Sequence, residues 1–193
     1  MNPFHLAARS LFTVFIGLLL GLTSLAQAES QTHPASGMVF PDNIGAFQRI
    51  SVKHFEPQNP GLGSAYGYRS GVGTTATVYV YTAGLSNIPP TVDHPVMAKL
   101  REQTIGEIKQ FAQSKGTSVN HTLTGTIPIK IDNGKDVRVL FDGFDLLYPD
   151  GKVDTQVWLW TARGHIMKIR MTKNADADQT IAFAKAVVGL SVK

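Results

Sequence analysis

The sequence contains no cysteine. It therefore cannot form a disulfide, use a thiol as a nucleophile, bind a metal through thiolates or carry a lipid on a cysteine. Small exported domains often depend on disulfides, so this chain must be stabilised by a packed core instead. Its 193 residues are enough for one domain with such a core.

The sequence also lacks a strong charge imbalance. It has 18 Lys and Arg against 14 Asp and Glu, a formal net charge of +4, and these charges are dispersed along the chain. A nucleic-acid-binding surface is typically indicated by clustered Lys and Arg. We therefore expect no nucleic-acid partner.

Recognised cofactor and catalytic motifs are missing as well. Tyr66 stands where the dinucleotide-binding fingerprint requires its third glycine, and Gly134-Lys135 is followed by Asp136, not by the Ser or Thr of a phosphate-binding loop. There is no Gly-x-Ser-x-Gly sequence. The sequence thus predicts no cofactor and names no catalytic residue.

The histidines after position 28 do not have the spacing of a metal-binding helix. They are scattered, at positions His33, His54, His94, His121 and His165. We therefore predict no metal site, although the spacing leaves open whether some of them meet in the folded chain.

The N-terminal region has the pattern of a secretory signal peptide. Arg9 precedes an uncharged, mostly apolar run over Leu11–Leu22, and Ala26-Gln27-Ala28 has the small-x-small form of a cleavage site. The competing interpretation is an uncleaved membrane anchor, which needs about 20 apolar residues. This run is shorter and is interrupted by two glycines, so we predict cleavage after Ala28 and a periplasmic or secreted protein.

Three segments follow from this pattern. Residues 1–28 are the predicted signal peptide, residues 29–37 are a short polar leader that we expect to be flexible, and residues 38–193 form a single domain. No apolar run after residue 28 is long enough to span a membrane. The absence of cysteine and the short signal favour a bacterial periplasm.

Alternating apolar residues and turn residues predict a β-rich chain with two helices. A first hairpin turns at Gly71-Val72-Gly73, and later turns are predicted at Asn133-Gly134, Pro149-Asp150-Gly151 and Arg163-Gly164. The first helix is capped by Asp93 and ends at Gly116. The predicted strands are 47–55, 64–70, 75–82, 126–131, 136–147, 153–161 and 165–172, and the second helix covers about 176–190.

The turns also predict which side chains share a face of the sheet. One face should hold Val137, Val139, Phe141, Trp158, Trp160, Met167, Ile169 and Met171. The other should hold Ile127, Ile129, Leu140, Phe144, Leu146, Val157, Leu159 and Ile166, with Arg138, Asp142, Lys168 and Arg170 among them and Asp142 opposite Leu159. Both faces are apolar enough to need cover, so the predicted fold class is α+β: an antiparallel sheet, a hairpin plus a four-stranded meander, packed with two helices.

This order of elements resembles the PsbP-like α/β/α sandwich over residues 38 to 190. Generic segments carry the resemblance: Val39-Phe40-Pro41 at the start of the domain, the Asn133-Gly134 hairpin and His165–Arg170 before the last helix. The resemblance implies an exported or lumenal protein with an accessory or unassigned role. It matches no catalytic or ligand motif, so it assigns no functional residue.

The candidate ligand-binding residues are Arg138, Asp142, Lys168 and Arg170. Charged side chains among apolar neighbours on one sheet face are consistent with a polar pocket that holds an anion. The alternative is a cross-strand salt bridge with no ligand.

Trp158 and Trp160 are expected in the core, or on a binding surface if no helix covers them. A candidate second aromatic stripe consists of Tyr66, Tyr68, Tyr79 and Tyr81.

These observations predict a non-enzymatic exported protein that binds a partner protein or a small molecule. Two alternatives stay open. One is a hydrolase-type enzyme with a site assembled from dispersed residues around Asp142 and Arg170. The other is an envelope assembly factor that acts through a sheet edge or the tyrosine stripe.

Overall fold

The computed structural model describes residues 29–131, 134–173 and 177–192. The predicted signal peptide with its cleavage site, the turn residue Asn133 and the predicted helix cap Asp176 lie outside these ranges. Neither of the two helices in the described part of the chain is long and apolar enough to cross a membrane.

The fold is an eight-stranded antiparallel sheet with one helix on each face. The sheet order is β3-β4-β5-β6-β10-β9-β8-β7, and β1 and β2 form a separate two-stranded sheet. The strands are β1 (Gln31–Thr32), β2 (Val39–Phe40), β3 (Asn43–Ile44), β4 (Phe47–His54), β5 (Ser64–Ser70), β6 (Thr75–Tyr81), β7 (Ser118–Lys130), β8 (Asp136–Tyr148), β9 (Gly151–Ala162) and β10 (His165–Lys173). The helices are α1 (Pro95–Ser114) and α2 (Ala177–Ser191).

The predicted α+β class is confirmed, and most predicted elements agree with the observed ones to within two residues. Strand β7 is an exception, because it begins at Ser118, whereas the prediction begins near 126. Its first half is polar and mostly exposed at the edge of the sheet, so it lacks the apolar alternation that reveals a strand. The cap of α1 also differs: His94 Nδ1 accepts from the Val96 amide at 3.2 Å, and Asp93 does not cap the helix.

The predicted faces of β8, β9 and β10 are correct, with Phe141 opposite Trp158 and Trp160 opposite Met167. Asp142 lies opposite Val157, however, and not opposite Leu159. This two-residue shift leaves Asp142 on the predicted face, because side chains alternate with period two.

Ile127 and Ile129 are on the other face from the one predicted. They pair with Val139 and Val137 and therefore join the core under α2. The turn explains the error: the Ile131 amide donates to the Lys135 carbonyl at 3.0 Å, so three residues lie between the last paired residues, whereas the predicted Asn133-Gly134 turn has two. A one-residue change in loop length moves every side chain of a strand to the opposite face.

Each face of the sheet is covered by one helix. The larger core packs Phe183, Ala184, Val187 and Val188 of α2 against a face that includes both tryptophans. The smaller core packs Ile105, Ile108 and Ala112 of α1 against Phe144, Leu146 and Val157. Trp158 and Trp160 are therefore core residues and not a binding surface.

The tyrosines do not form one stripe. Tyr66 lies opposite Val78, and with Tyr68 it is fully buried in the α2 core. Tyr79 lies opposite Ala65 and Lys168, so it points to the α1 face with Tyr81. The prediction of a continuous stripe is wrong because the hairpin register places the two pairs on opposite faces.

The N-terminal segment packs against the sheet. Arg49 of β4 donates to the carbonyls of Phe40 at 2.7 Å and Glu29 at 2.5 Å. His33 follows β1 directly and is only 3% exposed. Its Nδ1 accepts from the Ser36 amide at 3.1 Å, and Ser36 Oγ lies 2.8 Å away. The flexibility of the 29–37 leader stays a prediction.

The C-terminal end of α2 offers a test of the α2 core. Trp160 Nε1 donates to Ser191 Oγ at 3.0 Å, and both residues are buried. Ser191→Ala leaves this buried donor unsatisfied, so we expect the free energy of unfolding to fall by about 1–2 kcal/mol. Urea unfolding followed by tryptophan fluorescence measures the change.

The matched control is Ser114→Ala. Ser114 is exposed near the end of α1, and its hydroxyl donates to the carbonyl three residues earlier, as the hydroxyl of Ser191 does. The control should change the free energy of unfolding by less than about 0.5 kcal/mol. Equal losses in the two variants would show that the bond to Trp160 contributes nothing.

His33 makes stability depend on pH. Burial, together with the nearby His165 and His54, lowers the pKa of its imidazole from 6.5 to about 4. The unfolded chain takes up this proton near pH 6.5, so the contribution of His33 is present above pH 6.5 and is lost as the pH falls to about 4.

We expect this loss to be on the order of 3 kcal/mol between pH 7 and pH 4, since one pKa unit corresponds to about 1.4 kcal/mol. The measurement is urea unfolding across this range for the wild-type protein and for His33→Gln. The variant should lose less stability on acidification than the wild type. Parallel stability curves would contradict the assignment.

Candidate functional site

The four candidate residues do not meet in one site. Arg138 pairs with Asp93 beside the start of α1, and both side chains are more than half exposed. The Arg170 guanidinium carbon lies 5.1 Å from the centroid of the Phe111 ring, near the end of α1. Asp142 and Lys168 are in two further places on the same sheet face, and each has different neighbours.

Asp142 is at the centre of a hydrogen-bond cluster, and its own side chain is buried, at 3% exposed. Arg101 of α1 donates from Nε to Oδ2 at 2.7 Å and from a terminal nitrogen to Oδ1 at 2.9 Å. His121 Nε2 lies 2.8 Å from Oδ1, and Thr124 Oγ1 donates to Oδ1 at 2.9 Å. The predicted cationic neighbours of Asp142, Arg138 and Arg170, are not among these partners.

This cluster fixes α1 to the β7–β8 edge of the sheet. Arg101 also donates to the carbonyl of Phe141 at 3.1 Å, so one guanidinium joins the helix to the backbone of β8. The ring of His121 stacks on Phe144 with centroids 4.5 Å apart. Both oxygens of the Asp142 carboxylate already accept hydrogen bonds, so the group positions the helix and is not open to a ligand.

Lys168 lines a half-open cleft between α1 and strands β6 and β10. The cleft has a volume of about 400 Å³, within the usual range of small-molecule sites. Apolar and aromatic side chains form most of its wall, with a few polar groups. Its lining residues are Phe55, Pro60, Leu62, Tyr79, Tyr81, Ala83, Gly84, Leu100, Gln103, Thr104, Glu107 and Lys168.

The ammonium group of Lys168 lies against two aromatic rings. Its Nζ is 5.0 Å from the ring centroid of Tyr79 and 5.6 Å from that of Tyr81, both within the range of cation–π interaction. Its carboxylate partner is Glu107 Oε2 of α1, at 3.4 Å. The Lys168 side chain is 16% exposed and that of Glu107 is 49% exposed, so the lysine is largely buried while its carboxylate partner is half exposed.

The outer wall of the cleft is a loop that is held in shape by hydrogen bonds to its own backbone amides and carbonyls. Glu56 accepts hydrogen bonds from the amides of Gly61 at 3.0 Å and Gly63 at 2.8 Å. The Ala83 amide donates to the Gly61 carbonyl at 2.8 Å. A Cβ on Gly61 would lie 2.4 Å from the Gly84 nitrogen, so only glycine permits this approach. The loop is therefore a defined wall.

Two hydroxyl groups in the cleft are unsuited to nucleophilic or base chemistry. Burial, with the nearby carboxylate of Glu107, raises the pKa of the Tyr81 phenol well above its usual range, so the phenol stays protonated. Thr104 Oγ1 donates to the Leu100 carbonyl at 2.9 Å within the helix. Neither of these two hydroxyl groups is therefore activated as a nucleophile.

The sequence alone does not bring the observed neighbours to these two candidate residues. Arg101, His121 and Thr124 surround Asp142, and Tyr79 and Tyr81 flank Lys168. The alternation in β6 does indicate that its tyrosines share a face. The missing information was that β6 pairs with β10, which puts Tyr79 directly opposite Lys168.

The Asp142 cluster predicts a large difference between two arginines. Arg101→Gln removes the charge partner of a buried carboxylate, so we expect a loss of about 3 kcal/mol in the free energy of unfolding. Arg138→Gln breaks an exposed pair and should cost less than about 1 kcal/mol. Urea unfolding measures both variants, and similar losses would contradict the anchoring role of Arg101.

Comparison with known proteins shows similarity of fold alone. No family model matches the sequence, and no curated protein matches it. The chain is similar to the solution structure of cyanobacterial PsbP (CyanoP) from Synechocystis sp. PCC 6803, with 13% sequence identity and a TM-score of 0.48. The match covers 91% of this chain and 98% of that chain. This structure is of the kind that the sequence resembles, and no residue role is carried over from it.

Proposed function

We propose that this protein is an exported, non-enzymatic binding protein whose ligand occupies the Lys168 cleft. The proposed ligand is a small molecule with a planar apolar body and a carboxylate or similar anionic group. The observation that carries the proposal is the Lys168 ammonium, held between two tyrosine rings in a cleft of about 400 Å³. Export rests on the signal pattern ending at Ala28, with the bacterial periplasm as the expected compartment.

Charge supports an anionic ligand group. Among the described residues that line the cleft, Lys168 carries the one positive charge and Glu107 the one carboxylate. An exposed carboxylate at 3.4 Å binds an ammonium weakly, because solvent screens the pair. A ligand carboxylate can take the place of the Glu107 carboxylate on Lys168, and the Glu107 side chain then turns toward solvent. The hydrogen bond between the ligand and Lys168 is shielded from water by the apolar wall of the cleft.

The aromatic wall supports a planar body for the ligand. Tyr79 and Tyr81 lie beside Lys168 on the sheet, while Phe55 and Leu62 belong to the opposing loop. Leu62 is 52% exposed, and burying such a side chain under a ligand is favourable. Gln103 donates from Nε2 to Glu107 Oε1 at 3.0 Å, and its amide oxygen can accept from a polar substituent.

The enzymatic alternative has less support. It was centred on Asp142 and Arg170, but the carboxylate of Asp142 is fully engaged by Arg101, His121 and Thr124. Arg170 packs on Phe111, away from that cluster. A general base needs free access to the proton that it removes.

The assembly-factor alternative is favoured by one observation, the edge strand β7. It is 13 residues long and mostly exposed, and Leu123 is 59% exposed. A bulge between His121 and Leu123 and the proline at 128 interrupt the edge, as protected edges often do. These interruptions oppose pairing, whereas the length and exposure of β7 favour strand addition by a partner, which is a second proposal. A partner bound there would protect β7 amides from hydrogen exchange.

The test of the cleft uses benzoate as the probe and ¹H–¹⁵N NMR of the protein purified from an exporting host. We expect saturable shifts of the Tyr79, Tyr81 and Lys168 amides at millimolar benzoate. Lys168→Gln should weaken this binding about tenfold, since it removes a charge-assisted hydrogen bond. Lys109→Gln, an exposed change on α1, should leave it unaltered.

Two results would reject the Lys168 cleft as the ligand site. One is benzoate shifts that map outside the cleft. The other is equal affinity for benzoate in the wild-type protein and in Lys168→Gln, because the proposal requires the ammonium. Dispersed spectra of both variants establish that each is folded before titration.

A further inference from the structure

A second cavity lies on the other side of Tyr81 and is chemically different from the Lys168 cleft. It has a volume of about 410 Å³, and its wall is mostly apolar. Three histidines from distant parts of the chain reach it: His33 after β1, His54 at the end of β4 and His165 at the start of β10. The other lining residues are Pro34, Ala35, Glu56, Pro57, Gly63, Ser64, Tyr81 and Thr82.

Hydrogen bonds assign the proton positions of two of these rings. His165 Nδ1 lies 2.8 Å from the Arg163 carbonyl oxygen. A carbonyl only accepts, so Nδ1 carries the hydrogen and Nε2 of the neutral ring is an acceptor. In His33, Nδ1 accepts from the Ser36 amide, so Nε2 of the neutral ring carries the hydrogen and is a donor.

The two neighbouring rings therefore carry complementary groups, a donor on His33 and an acceptor on His165. Their centroids are 5.2 Å apart, and their planes are nearly perpendicular, at 80°. In each ring Nδ1 is occupied by a neighbouring residue of its own loop, which leaves Nε2 for a molecule in the cavity. One imidazole donor and one imidazole acceptor match a ligand group that has both functions.

The charges at the cavity disfavour an anion. Backbone hydrogen bonds from Gly61 and Gly63 lower the pKa of Glu56, so its carboxylate remains negative. Burial lowers the pKa of His33 to about 4, so this imidazole is neutral at neutral pH. His54 Nδ1 lies 2.9 Å from Ser64 Oγ, which holds the third ring. Within the described part of the chain, no three of these groups are arranged to hold a metal ion.

We propose that this histidine cavity binds an uncharged planar molecule with an adjacent hydrogen-bond donor and acceptor, of the amide or lactam class. The ligand's N–H donates to His165 Nε2, and its carbonyl accepts from the His33 Nε2–H. Its ring lies against Pro34, Ala35 and Pro57. This site is separate from the Lys168 cleft, so the two cavities beside Tyr81 take ligands of different charge: an anion in the Lys168 cleft and an uncharged molecule in the histidine cavity.

The test compares benzamide with benzoate, two probes of nearly equal shape that differ in charge and in the N–H donor. In ¹H–¹⁵N NMR titrations, benzamide should shift the amides of His33 and Ala35 and bind there about tenfold more tightly than benzoate does. His165→Phe keeps a ring but removes the acceptor, and it should weaken benzamide about fivefold. His94→Phe, at an exposed site, should not.

Histidine side-chain ¹⁵N spectra of the wild-type protein test the proposal without a variant. They should show the proton of His165 on Nδ1 and that of His33 on Nε2, and the opposite tautomer in either ring would overturn it. Equal or tighter binding of benzoate in the histidine cavity would also overturn it, as would benzamide binding that is unchanged by His165→Phe. Benzoate shifts at Tyr79 and Lys168 report separately on the Lys168 cleft, so either site can fail alone.

Discussion

The buried ion pair between Arg101 and Asp142 decides where the single helix α1 crosses its face of the sheet. A helix is about 10 Å wide and strands are about 4.8 Å apart, so one helix covers roughly two strands. Arg101 fixes α1 to the β7–β8 edge, and the helix packs over β8 and β9. The part of the face over β6 and β10 lies beside the helix, and the Lys168 cleft is there, between α1 and the loops.

The walls between the two cavities are fixed by hydrogen bonds and close backbone contacts within the loops that form them. Glu56 accepts from two backbone amides of the 55–63 loop, and Gly61 lies against the backbone of the 83–84 turn. Tyr81 lines both spaces, with its phenol kept neutral by burial. A ligand in either cavity therefore meets a largely preformed wall, which lowers the entropic cost of binding.

Local patterns in the sequence are sufficient to predict most of the elements of this fold, because turn residues and apolar alternation act over short distances. Long-range pairing is not available to such reasoning. Lys168 is a candidate from its apolar surroundings alone, but Tyr79 becomes its neighbour only through the pairing of β6 with β10. Arg101 is one of several charged residues on α1, and only the docked helix shows that it reaches Asp142. Ile127 and Ile129 show how one extra loop residue reverses a face.

The most direct test of the ligand cleft is a crystal structure of the protein with benzoate. The account predicts a benzoate carboxylate within hydrogen-bond distance of Lys168 Nζ, its ring against Tyr79 and Tyr81, and Glu107 turned toward solvent. Benzoate bound elsewhere, with Glu107 still paired to Lys168, would contradict the assignment of this cleft as the ligand site.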